Sequence, residues 1–240
     1  MIRVGTSGWS YPEWRGTLYP TGTAAGNYLK IYAENFDTVE LNNTFYRMPQ
    51  AKMMISWAEK TPPGFLFAVK AWRAIVHANE PDAAHIRDFF AAADHLGDKL
   101  GPILFQLPPN RDVNTPWLEN LIAALPTGYR YVFELRDPRW QVDGVYDILR
   151  KHNIANCYYD LRTFQNPEIA TSDWLYIRLH GPLKTPYKGG YTMERLHHYA
   201  QVMKNKDSYI YFDNTMSGHA VDDAKSLLKY LGEPVHHKAA

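Results

Sequence analysis

Eight short apolar runs of strand length, at residues 2–6, 38–41, 65–69, 102–107, 131–135, 154–159, 174–179 and 209–212, are separated by stretches of helical periodicity. This order constrains the fold more than any other feature. Parallel strands cannot be joined by a tight turn, so a strand–helix–strand alternation implies a parallel sheet with crossover helices. Eight strands in 240 residues match a (β/α)8 barrel of the TIM type. We expect one domain over residues 1–232, followed by a short C-terminal tail, 233–240. Helical patterns lie at 24–34, 52–59, 83–96, 117–124, 145–151, 193–204 and 220–230, one fewer than the strands. The shortfall falls between the sixth and seventh runs, where 161–172 carries Pro167 and lacks helical periodicity, predicting an irregular crossover. Long loops at 7–23, 42–50, 70–82 and 181–192 all follow strands, which puts them at one end of the domain.

The strands also sort their own faces. Successive side chains on a strand point to opposite sides, and outer helices demand an apolar outward set. Val39 and Leu41 form that set in the second run, leaving Thr38, Glu40 and Asn42 facing inward. By the same rule Leu66, Ala68 and Lys70 face in from the third run, and Val132, Glu134 and Arg136 from the fifth. Tyr176, Arg178 and His180 do so from the seventh, and Tyr209, Tyr211 and Asp213 from the eighth. In each case the polar residue stands at the C-terminal end of the strand. Ionised groups buried alone cost several kcal/mol each, so these must pair or be hydrated. The alternatives are an internal ion-pair lattice and a site, and barrel enzymes place their chemistry at this end.

Residue chemistry suggests roles. Glu40 and Glu134 are candidate general bases and His180 a candidate acid, although salt bridges to Arg136 or Arg178 would equally explain the carboxylates. Arg136, Arg178 and Lys70 suit recognition of a carboxylate or phosphate; Lys70 would be a Schiff-base nucleophile if its proton were held weakly. Gly181 after His180 allows a sharp turn, and the loop 181–192 could close over a ligand. Asn42 ends the second strand, and Asn214 opens the segment leading to the last helix, a place where barrels bind anions. Trp9 and Tyr11 belong to an aromatic loop that could stack a base or sugar ring, or simply pin the loop.

Composition narrows the partners. Twenty-six Lys and Arg against 25 Asp and Glu give a net charge of +1, so no global field attracts a polyanion or a membrane. A single cysteine, Cys157, cannot build a disulfide or a thiolate metal site within one chain. The sequence contains neither a signal-peptide pattern nor an apolar stretch of about 20 residues, and a cytoplasmic location is expected. No cofactor is expected. A divalent metal held by Glu40, Glu134, Asp160, His180 and Asp213 is the alternative, with the intervening arginines against it.

The segments Gly5-Thr6-Ser7-Gly8-Trp9, Tyr19-Pro20, Val39-Glu40-Leu41-Asn42 with Thr44-Phe45-Tyr46, and Phe67-Ala68-Val69-Lys70 follow one another in a distinctive order. They continue with Gln106-Leu107-Pro108-Pro109, Glu134-Leu135-Arg136 with Trp140, and Arg178-Leu179-His180-Gly181. Together these resemble the domain-of-unknown-function-72, or YecE-like, family over nearly the whole chain. Phe212-Asp213-Asn214 departs from the Asn-Asn pair that the resemblance leads one to expect, as does Val76-His77 from Thr-His. The resemblance implies an α/β barrel and no particular activity.

The expected function is therefore that of a hydrolase or lyase acting on a small anionic molecule, phosphorylated or not, or on a nucleotide. Two rivals are a nucleotide or single-stranded nucleic-acid binding module, with Trp9, Tyr11, Trp14, Arg47, Arg73 and His77 on its rim, and a metal-dependent phosphodiesterase.

Overall fold

The structure, a computed structural model, describes residues 1–161 and 164–232. The tail 233–240, and residues 162–163 of the crossover, lie outside the described residues.

Among the described residues ten strands form two five-stranded sheets. The first has the order β1 (Ile2–Thr6), β10 (Asp207–Phe212), β9 (Trp174–Leu179), β7 (Tyr158–Leu161), β8 (Phe164–Gln165). The second runs β2 (Thr38–Leu41), β3 (Leu66–Lys70), β4 (Leu100–Gln106), β5 (Tyr131–Glu134), β6 (Ala155–Asn156). Among the described residues every pairing is parallel except β7 with β8, a departure from the parallel order the sequence suggested. The sixth apolar run is split at Cys157, so that its first part pairs with β5 and its second with β9.

Alternation divides the apolar residues into two cores. Val39, Leu41, Phe67, Val69, Phe133, Leu135, Ile177, Leu179, Ile210 and Phe212 join the larger cluster with the helices. Ala68, Leu104, Val132, Tyr176, Tyr209 and Tyr211 join a smaller cluster drawn from both sheets, which therefore lies between them. The helices that cover the outer faces include α1 (Tyr28–Ala33), α3 (Ala51–Glu59), α5 (Ala83–Ala93) and α6 (Thr115–Ala124). They continue with α7 (Asp143–Lys151), α8 (Met193–Met203) and α9 (His219–Leu231). Two short helices, α2 (Asn43–Tyr46) and α4 (Arg73–Val76), occupy segments that read as loops in sequence, each just beyond a strand end.

The sheets meet at two seams. At one, Ser7 bridges to Glu40, and Gly8 N–H donates to the Glu40 carbonyl at 2.8 Å. The Tyr32 hydroxyl from α1 accepts from Thr6 N–H at 2.9 Å and donates to the Thr38 carbonyl at 3.0 Å. Backbones approach so closely here that a Cβ on Gly5 would lie 2.4 Å from the Thr38 oxygen. At the other seam Cys157 N–H donates to the Phe133 carbonyl at 2.8 Å.

Among the described residues no helix lies between β7 and β9. Side chains of the crossover serve the strand backbones directly. Asn166 accepts from Tyr159 N–H at 2.7 Å and donates to the Cys157 carbonyl, while the Thr171 hydroxyl accepts from Asn156 N–H at 2.7 Å and donates to the Ile154 carbonyl at 2.6 Å. Pro167 and these short polar residues account for the lost helix, since such side chains compete with the helical backbone. Among the described residues no helix is long and apolar enough to cross a membrane.

Candidate functional site

The C-terminal strand ends converge on Arg178. Its guanidinium, on a residue 1% exposed, reaches carboxylates from both sheets. Nε donates to Glu40 Oε2 at 2.9 Å and Nη2 to Glu40 Oε1 at 2.8 Å, a bidentate pair. Nη1 donates to Glu134 Oε2 at 2.5 Å, and Nη2 lies 3.4 Å from Asp213 Oδ2. A buried guanidinium would shed its proton more readily, but Glu134, Glu40 and Asp213 overcome that and hold it firmly charged.

Both glutamates are held by further donors. Glu40 also accepts from the Ser7 hydroxyl at 2.5 Å and the Tyr176 hydroxyl at 2.7 Å. Glu134 also accepts from Gln106 Nε2 at 2.9 Å and from Arg136 Nε. Burial alone would raise the Glu134 carboxyl, yet Arg136 and then Arg178 hold it well below the usual carboxylate range. Glu40 thus accepts from four donors, two on each oxygen, and Glu134 from three, so both are held in place as charged acceptors.

His180 is fully buried, with Nδ1 2.8 Å from Asp213 Oδ2. Its Nε2 lies 3.2 Å from Arg136 Nη2 and 3.5 Å from Arg178 Nη1, both obligate donors. With Nδ1 carrying the proton toward Asp213 and Nε2 the acceptor, the imidazole serves Asp213 and both arginines, while Glu134 Oε1, 3.5 Å from Nε2, takes its donors from Gln106 and Arg136 instead. Burial would raise Asp213, but its bond to His180 and the Arg178 charge hold it below its ordinary value. Gly181 makes the next turn with φ +102°, where a Cβ would lie 2.6 Å from the Lys188 carbonyl oxygen. The returning loop is anchored by Tyr187 N–H on the His180 carbonyl at 2.6 Å and sets the Tyr187 ring 6.0 Å from the imidazole.

Two cations retain capacity. The Arg136 side chain is 18% exposed, and its Nη1 has no partner among the described residues. Lys70 is 7% exposed; its ammonium lies 4.3 Å from the Phe45 ring centroid and meets no carboxylate within ion-pair distance among the described residues. Burial, then Arg178, lower the Lys70 amine to about 8, against opposing pulls from Glu134 and Glu40.

Beside this network a cavity of about 210 Å³ is lined by Trp9, Tyr11, Glu40 and Asn42 among others. Asn42 Oδ1 is buried without a partner. Tyr11 donates to the Ser7 carbonyl at 2.6 Å and packs 4.6 Å from Trp14, while Trp9 meets the Trp57 ring edge-on at 5.2 Å. Trp14, expected on the rim, is instead fully buried, with Nε1 donating to the Thr215 carbonyl at 3.0 Å. Asn214 turns toward the loop, donating to the Gly189 carbonyl at 2.8 Å and to Asp223 at 2.7 Å. A larger cavity, about 710 Å³, opens among Arg3, Lys30, Lys60 and Phe65, at the opposite strand ends. Its Arg3 is already paired with Asp37, and none of the converging polar groups is there.

The structure thus brings Glu40, Lys70, Glu134, Arg136, Arg178 and His180 into one mouth, with Trp9, Tyr11 and Asn42 beside it and Asn214 in the loop support. Of the residues considered for a metal, Asp160 stands apart, 3.6 Å from Arg195, and among the described residues no group of three or more His, Cys, Asp or Glu is placed to hold an ion. Ser7, Gln106 and Phe45 complete the site without having been assigned roles from sequence, and Asp213, considered there only as a metal ligand, is the partner of His180. Asp213 had been placed inward by alternation, whereas Gln106 ends a run that is apolar on both faces.

Comparison with known proteins agrees with this architecture. The chain is 28% identical over 151 residues to the UPF0759 protein YecE of Escherichia coli strain K12, a match covering 60% of this chain and 52%, about half, of YecE. The crystal structure of a DUF72 family protein from Thermotoga maritima MSB8 superposes with a TM-score of 0.86 at 28% identity, covering 97% of this chain and all of that one. The structure of SacUVDE is similar in fold, with a TM-score of 0.61 at 13% identity over 98% of this chain and 100% of its own. The family model described as "Protein of unknown function DUF72" matches residues 3–240, and the chain belongs to that family.

Proposed function

We propose that the chain is a hydrolase or lyase that takes a small anionic, phosphorylated substrate into the mouth between its two sheets. In this reading Lys70 and Arg136 hold the negative charge, and the His180–Asp213 pair moves protons. Arg178 does not touch substrate: it is the strut that fixes Glu40 and Glu134, whose ion pairs and further donors suit them to positioning. Proton transfer therefore passes from the glutamates to His180, whose Nε2 is the acceptor nearest the free edge of Arg136. We further read the two sheets as one closed (β/α)8 barrel, which the Ser7–Glu40 and Cys157–Phe133 contacts at the seams support.

The observation that carries this is Lys70. A lysine so buried ordinarily has a counter-ion, and among the described residues this one has only an aromatic ring. A bound anion supplies the missing partner, and Arg136 Nη1 supplies a second donor. Thermal melting in inorganic phosphate, against chloride at equal ionic strength, tests it. At tenfold over Kd the ligand adds about 1.4 kcal/mol, or roughly 3–5 °C in Tm. The rise should vanish in Lys70→Met; an equal rise in that variant, or none in the parent, counts against the reading.

A second reading has one observation of its own. Tyr46 is 65% exposed beside exposed Arg47, and Arg73 and His77 are also exposed at the ends of the loop helices. That rim suits a nucleotide or a single nucleic-acid strand, and steeply salt-dependent binding of an oligonucleotide would favour it.

A further inference from the structure

Lys70 differs in kind from the two arginines beside it. Arg178 and Arg136 cannot give up their protons in a protein, whereas an amine without an oxygen partner can. With its ordinary value lowered to about 8, a tenth or so of the lysine is free amine at neutral pH. The neutral amine is a nucleophile, and nothing in the mouth competes for its lone pair: the contact on Nζ is the Phe45 ring. Register places a second unused group next to it. Leu41 pairs with Val69, so Asn42 and Lys70 end neighbouring strands, and Asn42 carries a buried oxygen with no donor.

We infer that Lys70 forms an imine with the carbonyl carbon of its substrate, which makes the substrate class a phosphorylated aldehyde or ketone. This rests on the anion-binding reading of the same mouth and names what else the ligand must carry. The Nζ lone pair adds to the carbonyl carbon, forming the C–N bond as the C–O π pair moves to oxygen. A proton lost from nitrogen and one gained by oxygen give the carbinolamine, with His180 the group in the mouth able to carry a proton between them. A second proton, the one the ammonium released on becoming free amine, lets that oxygen leave as water as the nitrogen lone pair closes the C=N bond, so the iminium's positive charge stands where the ammonium stood. No oxidant or reductant enters, and water is the sole by-product.

The unused Asn42 oxygen has a place in this chemistry, since the carbinolamine offers it an O–H or N–H donor that the resting mouth lacks. Phe45 shields the nitrogen from water on one side. Such a lysine serves a lyase better than a hydrolase, because an iminium withdraws electrons from the adjacent carbon and eases its deprotonation or bond cleavage.

The test is reductive trapping. The protein at about pH 8 is mixed with glycolaldehyde phosphate and sodium cyanoborohydride, then digested and mapped by mass spectrometry. The expected result is one adduct per chain on Lys70, formed at least about tenfold faster than on any other lysine, slowed by inorganic phosphate, and absent in Lys70→Arg. Because labelling is read on the unaltered protein, the result does not depend on the variant folding. Adducts spread evenly over surface lysines, with phosphate still raising the melting temperature through Lys70, would overturn the imine and leave anion binding intact. Even labelling with no phosphate effect on melting would overturn both.

Discussion

Replacing Arg178 by methionine should destabilise the protein far more than an average substitution. Methionine keeps much of the stem volume, so the loss is chiefly of charge and of hydrogen bonds to Glu40, Glu134 and Asp213. Removing one partner from a buried ion pair costs about 3–5 kcal/mol, because the remaining charge is stranded. At roughly 2–4 °C per kcal/mol for a domain of this size, Tm should fall by about 6–20 °C. The sign with pH is also set. In the parent, Glu134 is held low, so its contribution is full above the unfolded value near 4.5 and is lost as pH falls through the lower folded value. In Arg178→Met, Glu134 keeps Arg136 while the bidentate partner of Glu40 is gone, and a carboxylate left buried without its cation is relieved by taking up a proton. The deficit relative to the parent should therefore shrink as pH falls from about 8 to 5. Urea unfolding followed by circular dichroism at both pH values measures this. A deficit below about 1 kcal/mol, or one equal at the two pH values, would refute the assignment of Arg178 as the strut.

Lys70 should behave in the opposite way. Its amine is lowered from 10.5 to about 8, so at neutral pH it opposes folding by roughly 3 kcal/mol, an opposition that fades as pH rises from 8 toward the unfolded value. Lys70→Met should accordingly raise the urea midpoint at pH 7, and a fall in midpoint would show that the ammonium has a partner. Cys157 is fully buried and its thiol is pushed up, first by burial and then by Glu134, so a thiol reagent should modify it only at the rate of unfolding. Reaction in the time of mixing would mean that the strand break at Cys157 opens. Gly181→Ala meets the Lys188 carbonyl at 2.6 Å with φ +102°, and about 1–3 kcal/mol of strain should appear as faster proteolysis of the 181–192 loop. Unchanged cleavage there would contradict the tight turn.

The strand-face assignments were legible because each of five runs offers an unbroken apolar alternate: Val39 with Leu41 or Ile177 with Leu179 leaves Glu40 or Arg178 only one side to face. That logic reached the mouth without any motif. It failed at Gln106, because the run 102–107 is apolar on both faces, Leu104 lying between the sheets and Phe105 among the helices. Pairwise engagement was beyond it too. Alternation puts Arg178 inside but cannot say that its donors are spent on carboxylates while those of Arg136 are not; that depends on a difference in exposure, 1% against 18%. The role of Asp213 was obscured by reading it as a departure from a family pattern, when its contact with His180 Nδ1 assigns the imidazole proton. The short helices α2 and α4 have too few residues to display a period, yet α2 brings Phe45 to Lys70.

The central claim is that the mouth is an anion site. Diffraction from a crystal soaked in arsenate, a phosphate mimic located by its anomalous scattering, tests it most directly. The expected result is a single strong peak whose oxygens lie about 3 Å from Lys70 Nζ and Arg136 Nη1, with Arg178 still bound to Glu40 and Glu134. A mouth left empty while arsenate occupies other cations, or an arsenate that draws Arg178 away from its carboxylates, would contradict it.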